Sequence, residues 1–119
     1  MVLEFMKGKI QIPVDHIMYV ESRLHKIYYH VLSEDGIEKE YSKYGKLSDA
    51  QQELRKYGFC RTHQSYLVNM EMVVDVQRYQ ATLEGGIWIN ISKKYYKDIE
   101  TEFVKNRREY KMEKVMPAK

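Results

Sequence analysis

Short segments in which apolar and polar residues alternate recur along this chain, and they constrain its fold more than any other feature. Isoleucine stands at every second position of residues 87–91, and Ile27, Tyr29 and Val31 alternate with their neighbours in the same way. Because successive side chains of a strand point to opposite faces of a sheet, this period of two predicts half-buried strands. Eleven tyrosines fit the same pleated surface. We therefore predict that most of the chain forms short β-strands.

Two turn signals predict how these strands pair. Asp35-Gly36 follows one alternating segment, and Gly85-Gly86 lies between two others. Glycine accepts the positive φ that a tight hairpin turn requires. Both signals therefore predict antiparallel hairpins.

Two segments show the spacing of a helix instead. In the first, Leu47, Ala50, Leu54 and Tyr57 are three or four residues apart, which places their side chains on one face of a short amphipathic helix. Gly58 follows directly and can end that helix in a left-handed conformation.

The second helix is predicted after Ser92, which can act as its N-cap. The apolar residues that fall on or near one stripe of this helix are Tyr96, Ile99, Phe103 and Tyr110. Beyond Tyr110 the sequence loses its periodicity, and no linker or repeat indicates a further domain. We predict one domain over residues 1–110 and a poorly ordered tail over residues 111–119.

The composition narrows the class of protein. A chain of 119 residues, of which 44% are hydrophobic, has the size and apolar content of one folded domain. No apolar run approaches the roughly 20 residues of a membrane-spanning helix, and the N-terminus does not resemble a secretory signal. Cys60 is the only cysteine, so an internal disulfide cannot form. These features predict a cytoplasmic protein that does not enter a membrane.

The residue types that enzymes use stand in isolated positions. Gly85-Gly86 lacks the spacing of a phosphate-binding loop and is more typical of a turn. Cys60 and His63 are three residues apart, but a cysteine that follows Phe59 in a predicted strand is more typical of a core residue. The four histidines form no i, i+4 pair that would bind a metal. We therefore expect neither catalysis nor a bound metal or cofactor.

Charged and polar residues leave two interpretations open. The net charge is only +3, and residues 92–114, with eight basic and five acidic residues, carry the whole excess. Polar and basic residues also gather at three segment junctions, residues 21–26, 61–65 and 92–94. Such residues are ordinary in loops, yet arginine and lysine also neutralise phosphates, and glutamine and histidine read base edges. On this pattern alone, both interpretations stand.

Three stretches of the chain, residues 15–22, 59–69 and 91–96, resemble the LytTR family of bacterial DNA-binding domains. This family is the output module of many two-component response regulators. The central stretch carries the pattern Phe-x-Arg-x-His-x-Ser-Tyr-x-Val-Asn, which begins at Phe59 and ends at Asn69. The similarity extends from about Gln11 to Ile99, and the first predicted helix lies between the first two stretches.

The resemblance implies a fold and a function. The fold is an elongated stack of antiparallel β-sheets with two short helices. The function is sequence-specific binding of double-stranded promoter DNA, through loops that enter successive major grooves and bend the duplex. Family operators are imperfect direct repeats, so the domain is expected to be a monomer when free and to bind as two copies per site. A receiver domain or sensor partner would lie outside this chain.

The resemblance also assigns roles to individual residues. Base contacts fall at His25, Gln64 and Lys94. The residues expected to contact phosphates or to support the loops are Arg61, His63, Ser92, Lys93, Lys46 and Arg78. In the loop at Ser92 the family commonly carries an arginine, whereas this chain has two lysines. An ammonium cannot grip guanine bidentately, so sequence preference there is expected to be softer.

A rival interpretation is a protein-interaction module or a module that binds single-stranded RNA. In that case Tyr28, Tyr79 and Trp88 would supply the surfaces on which bases stack. A preference for single strands over duplex of the same sequence would favour this rival.

Overall fold

Antiparallel pairing organises the part of the chain that the computed structural model describes, residues 2–5 and 8–115. The strands in chain order are β1 (Val2–Phe5), β2 (Gly8–Gln11), β3 (Ile17–Arg23), β4 (Lys26–Leu32), β5 (Glu38–Tyr44), β6 (Phe59–His63), β7 (Tyr66–Asn69), β8 (Val73–Gln77), β9 (Gln80–Leu83) and β10 (Trp88–Asn90). The helices are α1 (Leu47–Leu54) and α2 (Lys93–Val115), and 3₁₀ turns occupy Val14–His16, Arg55–Tyr57 and Met70–Met72.

The strands form three sheets. Strands β1 and β2 pair with each other, five strands pair in the order β5-β4-β3-β7-β6, and three pair in the order β10-β9-β8. The extents along the principal axes are 47, 36 and 25 Å, so the molecule is elongated. This arrangement confirms the predicted fold class, an elongated stack of antiparallel sheets with two helices.

Both predicted hairpins are confirmed. Strand β4 pairs with β5, and Gly36 stands in the turn at φ +81°. Strand β9 pairs with β10, and Gly85 and Gly86 occupy the turn at φ +89° and +86°. A side chain would strain the backbone in this left-handed region, which is why glycine suits these turns.

Strand β2 ends before its apolar pattern does. Ile10, Ile12 and Val14 alternate with their neighbours and would by themselves predict a strand to residue 14, but β2 ends at Gln11 and a 3₁₀ turn begins at Val14. Pro13 stands between them and has no N–H to donate to a neighbouring strand. The chain therefore leaves the sheet before the apolar pattern ends.

Helix α1 covers one face of the five-stranded sheet. Leu47, Ala50 and Leu54 are buried, as their spacing predicts, in one cluster with the buried side chains of β4. Tyr57 lies in the 3₁₀ turn that follows and is 40% exposed, so the buried stripe ends earlier than predicted. Gly58 stands after that turn at φ +84° and directs the chain into β6.

Helix α2 packs where the two larger sheets meet. Ile99 is fully buried in one cluster with Ile89 of the three-stranded sheet and Val68 of the five-stranded sheet. Tyr96 and Phe103 pack against the same cluster and are partly buried. The predicted stripe of α2 is therefore confirmed over its described side chains, and one helix joins both sheets.

Helix α2 is longer than the short helix that the sequence predicts. Its 23 residues continue to Val115, because the glutamates, lysines and arginines of this segment are strong helix formers. The side chain of Tyr110 and residues 116–119 lie outside the described part of the chain. The domain limit at residue 110 and the poorly ordered tail over residues 111–119 stay predictions.

A buried asparagine fixes the junction between β7 and the turn that follows. The Asn69 side chain donates from Nδ2 to the carbonyl of Ile17 at 2.9 Å, and its Oδ1 accepts from the N–H of Glu71 at 3.1 Å. The residue is only 1% exposed, so water cannot replace these partners. The last residue of the 59–69 pattern therefore serves the fold.

We predict that Asn69→Ala lowers the free energy of unfolding by about 2 to 4 kcal/mol, because it leaves a buried carbonyl and a backbone N–H without partners. Asn90→Ala is the matched control, since Asn90 is exposed on β10, and it should change stability by less than about 0.5 kcal/mol. Urea unfolding followed by circular dichroism measures both. Equal midpoints for the two variants would contradict the structural role of Asn69.

Candidate nucleic-acid interface

Five loops lie side by side at one end of the two larger sheets, and backbone hydrogen bonds connect them. The bonds are Gly45 N–H to His25 O (3.2 Å), Ser22 N–H to Ser65 O (2.9 Å), Ser92 N–H to Thr62 O (2.8 Å) and Ile91 N–H to Tyr79 O (2.8 Å). We call this surface the loop edge and define it by residues 24–25, 45–46, 64–65, 78–79 and 91–94. Every predicted site residue belongs to it or, like Arg61 and His63, to the end of the strand that leads into it.

Four of the predicted residues also line one shallow cavity on the loop edge. They are His25, Lys46, Arg61 and Gln64. The cavity has a volume of about 570 Å³ and is open to solvent, with the exposed side chains of His25, Lys46 and Gln64 at its rim. An imidazole, an ammonium and an amide thus meet at one place, although they come from three different loops.

Arg61 supports the loop between β6 and β7. Its guanidinium donates from Nε to His63 O at 2.8 Å, from Nη1 to Gln51 Oε1 at 2.8 Å, and from Nη2 to the carbonyl of Gln64. Hydrogen bonds from a charged donor are stronger than those between neutral groups. Arg61 therefore fixes the carbonyls of His63 and Gln64, and its bond to Gln51 connects this loop to α1.

His63 shapes the same loop. Its Nδ1 accepts a hydrogen bond from the N–H of Ser65 at 3.1 Å, and its ring contacts the ring of Tyr66 with 5.6 Å between centroids. Accepting this bond requires Nδ1 to be unprotonated. Together with Arg61, His63 fixes the turn from which Gln64 projects into solvent.

Both helices begin at the loop edge, and lysines stand at or directly before their first residues. Lys46 is the N-cap residue of α1 and makes no side-chain capping bond there, and Lys93 and Lys94 are the first residues of α2. The N-terminus of a helix carries a partial positive charge and favours anions. No acidic residue stands in the first turn of α2 to compensate. The start of α2 therefore concentrates positive charge on this surface, whereas Asp49 in the first turn of α1 offsets part of the charge of Lys46.

The remaining predicted residues flank these helix starts. Ser92 is half-buried, and its backbone joins β6 to the beginning of α2. Arg78 lies exposed in the turn between β8 and β9. That turn is next to Ile91, because Ile91 donates to the carbonyl of Tyr79.

An arginine close to the loop edge is neutralised within the fold. The guanidinium of Arg23 lies 3.7 Å above the ring of Tyr28 and forms ion pairs with Glu21 (3.3 Å) and Glu40 (3.1 Å). Glu21 also contacts Nε2 of His30 at 3.1 Å. Arg23 therefore has less charge to offer an anion than Lys46 or the lysines of α2.

The three aromatic residues of the rival interpretation do not form one platform. Tyr28 lies on the five-stranded sheet beneath Arg23, whereas Trp88 is 58% exposed on the three-stranded sheet. Tyr79 stands edge-on to Tyr96 with 5.4 Å between ring centroids. Bases of one single strand could not stack on all three without crossing between sheets.

The environment of Cys60 does not favour catalysis by its thiol. Burial raises the pKa of the Cys60 thiol to about 11, with Glu102 and Asp98 adding to the effect, which disfavours the reactive thiolate. No group of three or more His, Cys, Asp or Glu side chains in the part of the chain that the structure describes could hold a metal ion. None of its helices is long and apolar enough to cross a bilayer.

Two residues, one that supports the loop edge and one that belongs to it, were not predicted from the sequence. Gln51 faces inward from α1 to Arg61, and no local pattern distinguishes it from its neighbour Gln52. Leu24 stands at the tip of the β3–β4 hairpin, is 97% exposed and adopts φ +56°. A large apolar residue between Arg23 and His25, in a turn that favours glycine or asparagine, is the signal that could have identified it.

Known proteins share this arrangement of strands. The family model of the LytTr DNA-binding domain matches residues 7–103. Among solved structures, the LytTr DNA-binding domain of a Bacillus cereus protein described as a methyl-accepting/DNA response regulator matches with a TM-score of 0.69 and 20% sequence identity. The match covers 86% of this chain and 94% of that chain, and it is a likeness of fold. No curated protein matches significantly.

We predict that Arg61→Ala loosens the loop at Gln64, because it removes the three donors that hold the loop. The N–H of Ser65, which donates to His63 Nδ1, should exchange with deuterium about tenfold faster, the factor that a loss of roughly 1.4 kcal/mol gives. The N–H groups of the core strand β7 should change less. Gln51→Ala removes one of the three bonds and should give a smaller effect. Arg55→Ala, at an exposed arginine of the turn after α1, should leave exchange unchanged. Parent-like exchange in Arg61→Ala would contradict the support described above.

Proposed function

The chain belongs to the LytTR family of DNA-binding domains, and from this premise we propose that it binds specific duplex sequences through the loop edge. The observation that carries the proposal is the set of four backbone hydrogen bonds that bring the predicted contact residues onto one surface. In the cell, this activity would make it a cytoplasmic transcriptional regulator of the response-regulator type. A receiver domain or sensor partner would supply its signal.

Three exposed side chains are suited to reading bases. The amide of Gln64 can both donate to and accept from an adenine edge, and the imidazole of His25 and the ammonium of Lys94 can contact the acceptors of guanine. All three side chains are exposed, His25 and Gln64 on loops and Lys94 in the first turn of α2. Because hydrogen bonds tie these segments to their neighbours, little backbone conformational entropy is lost when the side chains bind.

Phosphate contacts are proposed for the cations around them. Lys46 and Lys93 each combine an ammonium with the positive end of a helix, and this combination favours phosphate oxygens. Ser92 and Arg78 flank the start of α2 and would extend the same contacts. Arg61 and His63 act mainly by holding the loop that carries Gln64.

The size of the molecule is compatible with contacts in successive major grooves. Its longest dimension is 47 Å, which exceeds the roughly 34 Å between successive turns of B-DNA. The loop edge draws loops from both larger sheets. The Gln64 loop lies between the β3–β4 hairpin and the start of α2, because Ser22 bonds to Ser65 on one side and Thr62 bonds to Ser92 on the other. We propose that the hairpin reaches one groove and the start of α2 the next, and a bend in the duplex would shorten the path between them.

We predict that His25→Ala, Gln64→Ala and Lys94→Ala each weaken binding to the operator by about 1 to 3 kcal/mol and hardly affect random duplex. Lys93→Ala should weaken both about equally and reduce the dependence of log Kd on log salt by about one. The operator is first selected from a random duplex library, and fluorescence anisotropy over a range of salt concentrations then gives each Kd.

Lys105→Ala is the matched control for charge, because Lys105 is exposed on α2 away from its first turns. It should bind both duplexes as the parent does. If the three base-reading variants keep parent-like affinity for the operator, the residue assignments are wrong. If the parent binds single strands of the operator more tightly than the duplex, duplex recognition itself is wrong.

We also predict that the free protein is a monomer and that two copies occupy one operator of imperfect direct repeats. Among the exposed large apolar residues of the described chain, only Leu24 and Tyr44 line one cavity, whereas Trp88 and Val104 lie on other elements, so they form no large dimer patch. Sedimentation equilibrium should give the monomer mass without DNA and two proteins per operator with it. A tight dimer without DNA, or one protein per operator, would contradict this stoichiometry.

A further inference from the structure

Leu24 carries two unfavourable features. Its side chain is 97% exposed, and its backbone adopts φ +56°, the only positive φ at a described residue other than glycine. The two-residue turn between β3 and β4 accounts for this positive φ, but not for the presence of a leucine there. For a residue with a Cβ, the left-handed region costs free energy, and glycine or asparagine would adopt it more readily. Such strain, where it persists, is found more often at functional sites than elsewhere.

The surroundings of Leu24 show that it is held in place. It stands between β3 and β4, whose last paired residues are Arg23 and Lys26. The adjacent backbone is tied on both sides, by Gly45 N–H to His25 O and by Ser22 N–H to Ser65 O. The hairpin tip therefore projects a leucine into solvent from a fixed base.

Most of the neighbours of Leu24 are polar, and they define the ligand it would suit. It lines the same cavity as His25, Lys46 and Gln64, and Tyr44 is the other exposed apolar side chain there. Any apolar group of the ligand must therefore lie among cationic and hydrogen-bonding groups. The major groove of DNA presents such a combination. Among its base edges only thymine carries an apolar group, the C5-methyl.

We propose that Leu24 is a specificity-determining residue that contacts the methyl group of a thymine in the major groove, next to the base contacted by His25. This inference rests on the proposed function, since it assigns a further contact to the same loop edge. It predicts that the operator carries a thymine at the position that the β3–β4 hairpin reads. Contact with that methyl would bury the Leu24 side chain, which is exposed to solvent in the free protein.

The experiment replaces each thymine of the operator with uracil in turn, which removes only the methyl group. For the parent protein, one or two of these replacements should weaken binding about fourfold, the value expected for one buried methyl group. Leu24→Gly should weaken binding to the thymine operator by a similar factor and should then be insensitive to uracil at the same positions. Leu24→Asn, which also tolerates the left-handed backbone, should behave in the same way.

Stability separates this effect from a loss of folding. Because glycine relieves the backbone strain, Leu24→Gly should melt at or above the temperature of the parent. Ile37→Ala is the matched control, since Ile37 is 52% exposed in the β4–β5 turn at the opposite end of the same sheet. Its uracil scan should be identical to that of the parent.

Three outcomes would overturn the inference. In the first, Leu24→Gly binds the thymine operator as tightly as the parent does. In the second, the affinity lost through Leu24→Gly adds to the affinity lost through uracil. In the third, no uracil replacement weakens binding of the parent. Additive losses would favour a leucine that inserts between base pairs, as apolar wedges do in the minor groove. If the parent does not distinguish its selected operator from random duplex, the proposed function itself is wrong. This outcome differs from the three above, in which the parent still binds its operator specifically and only the role of Leu24 is wrong.

Discussion

The hydrogen bond from Ser92 N–H to Thr62 O, 2.8 Å long, joins the two larger sheets at the surface on which the proposed function depends. Thr62 is fully buried near the end of β6, and Ile91 is buried just before Ser92. The bond therefore lies between two parts of the core and is shielded from competition with water. It sets where α2 begins, and with it the distance between the lysines of α2 and Gln64.

The pattern at residues 59–69 combines two kinds of residue. Arg61, His63 and Asn69 make hydrogen bonds inside the fold, whereas Gln64 uses only its backbone carbonyl and leaves its amide in solvent. Replacing a residue of the first kind would disturb the loop itself, whereas replacing Gln64 would change only the group that the loop displays. The fold of the loop and the chemistry of its exposed side chain therefore depend on different residues.

Local patterns predicted the elements, but not how distant elements meet. Gly36 and the spacing of Leu47, Ala50 and Leu54 are local signals, and the corresponding turn and helix are confirmed. The strand order β5-β4-β3-β7-β6 depends on pairing across more than 40 residues, which no local period encodes. The contact between Gln51 and Arg61 likewise exists only after α1 has packed. Leu24 was missed because local preference is misleading there. A leucine rarely adopts a positive φ, so its sequence position does not suggest the turn that it occupies.

The small net charge conceals how charge is distributed over the surface. Glu21 and Glu40 pair with Arg23 beside the loop edge, whereas Lys46, Lys93 and Lys94 form no ion pair with a described residue. Lysines at the N-terminus of a helix oppose its dipole, so they destabilise the free protein slightly. A phosphate placed there would relieve the repulsion and satisfy free N–H groups of the helix at once.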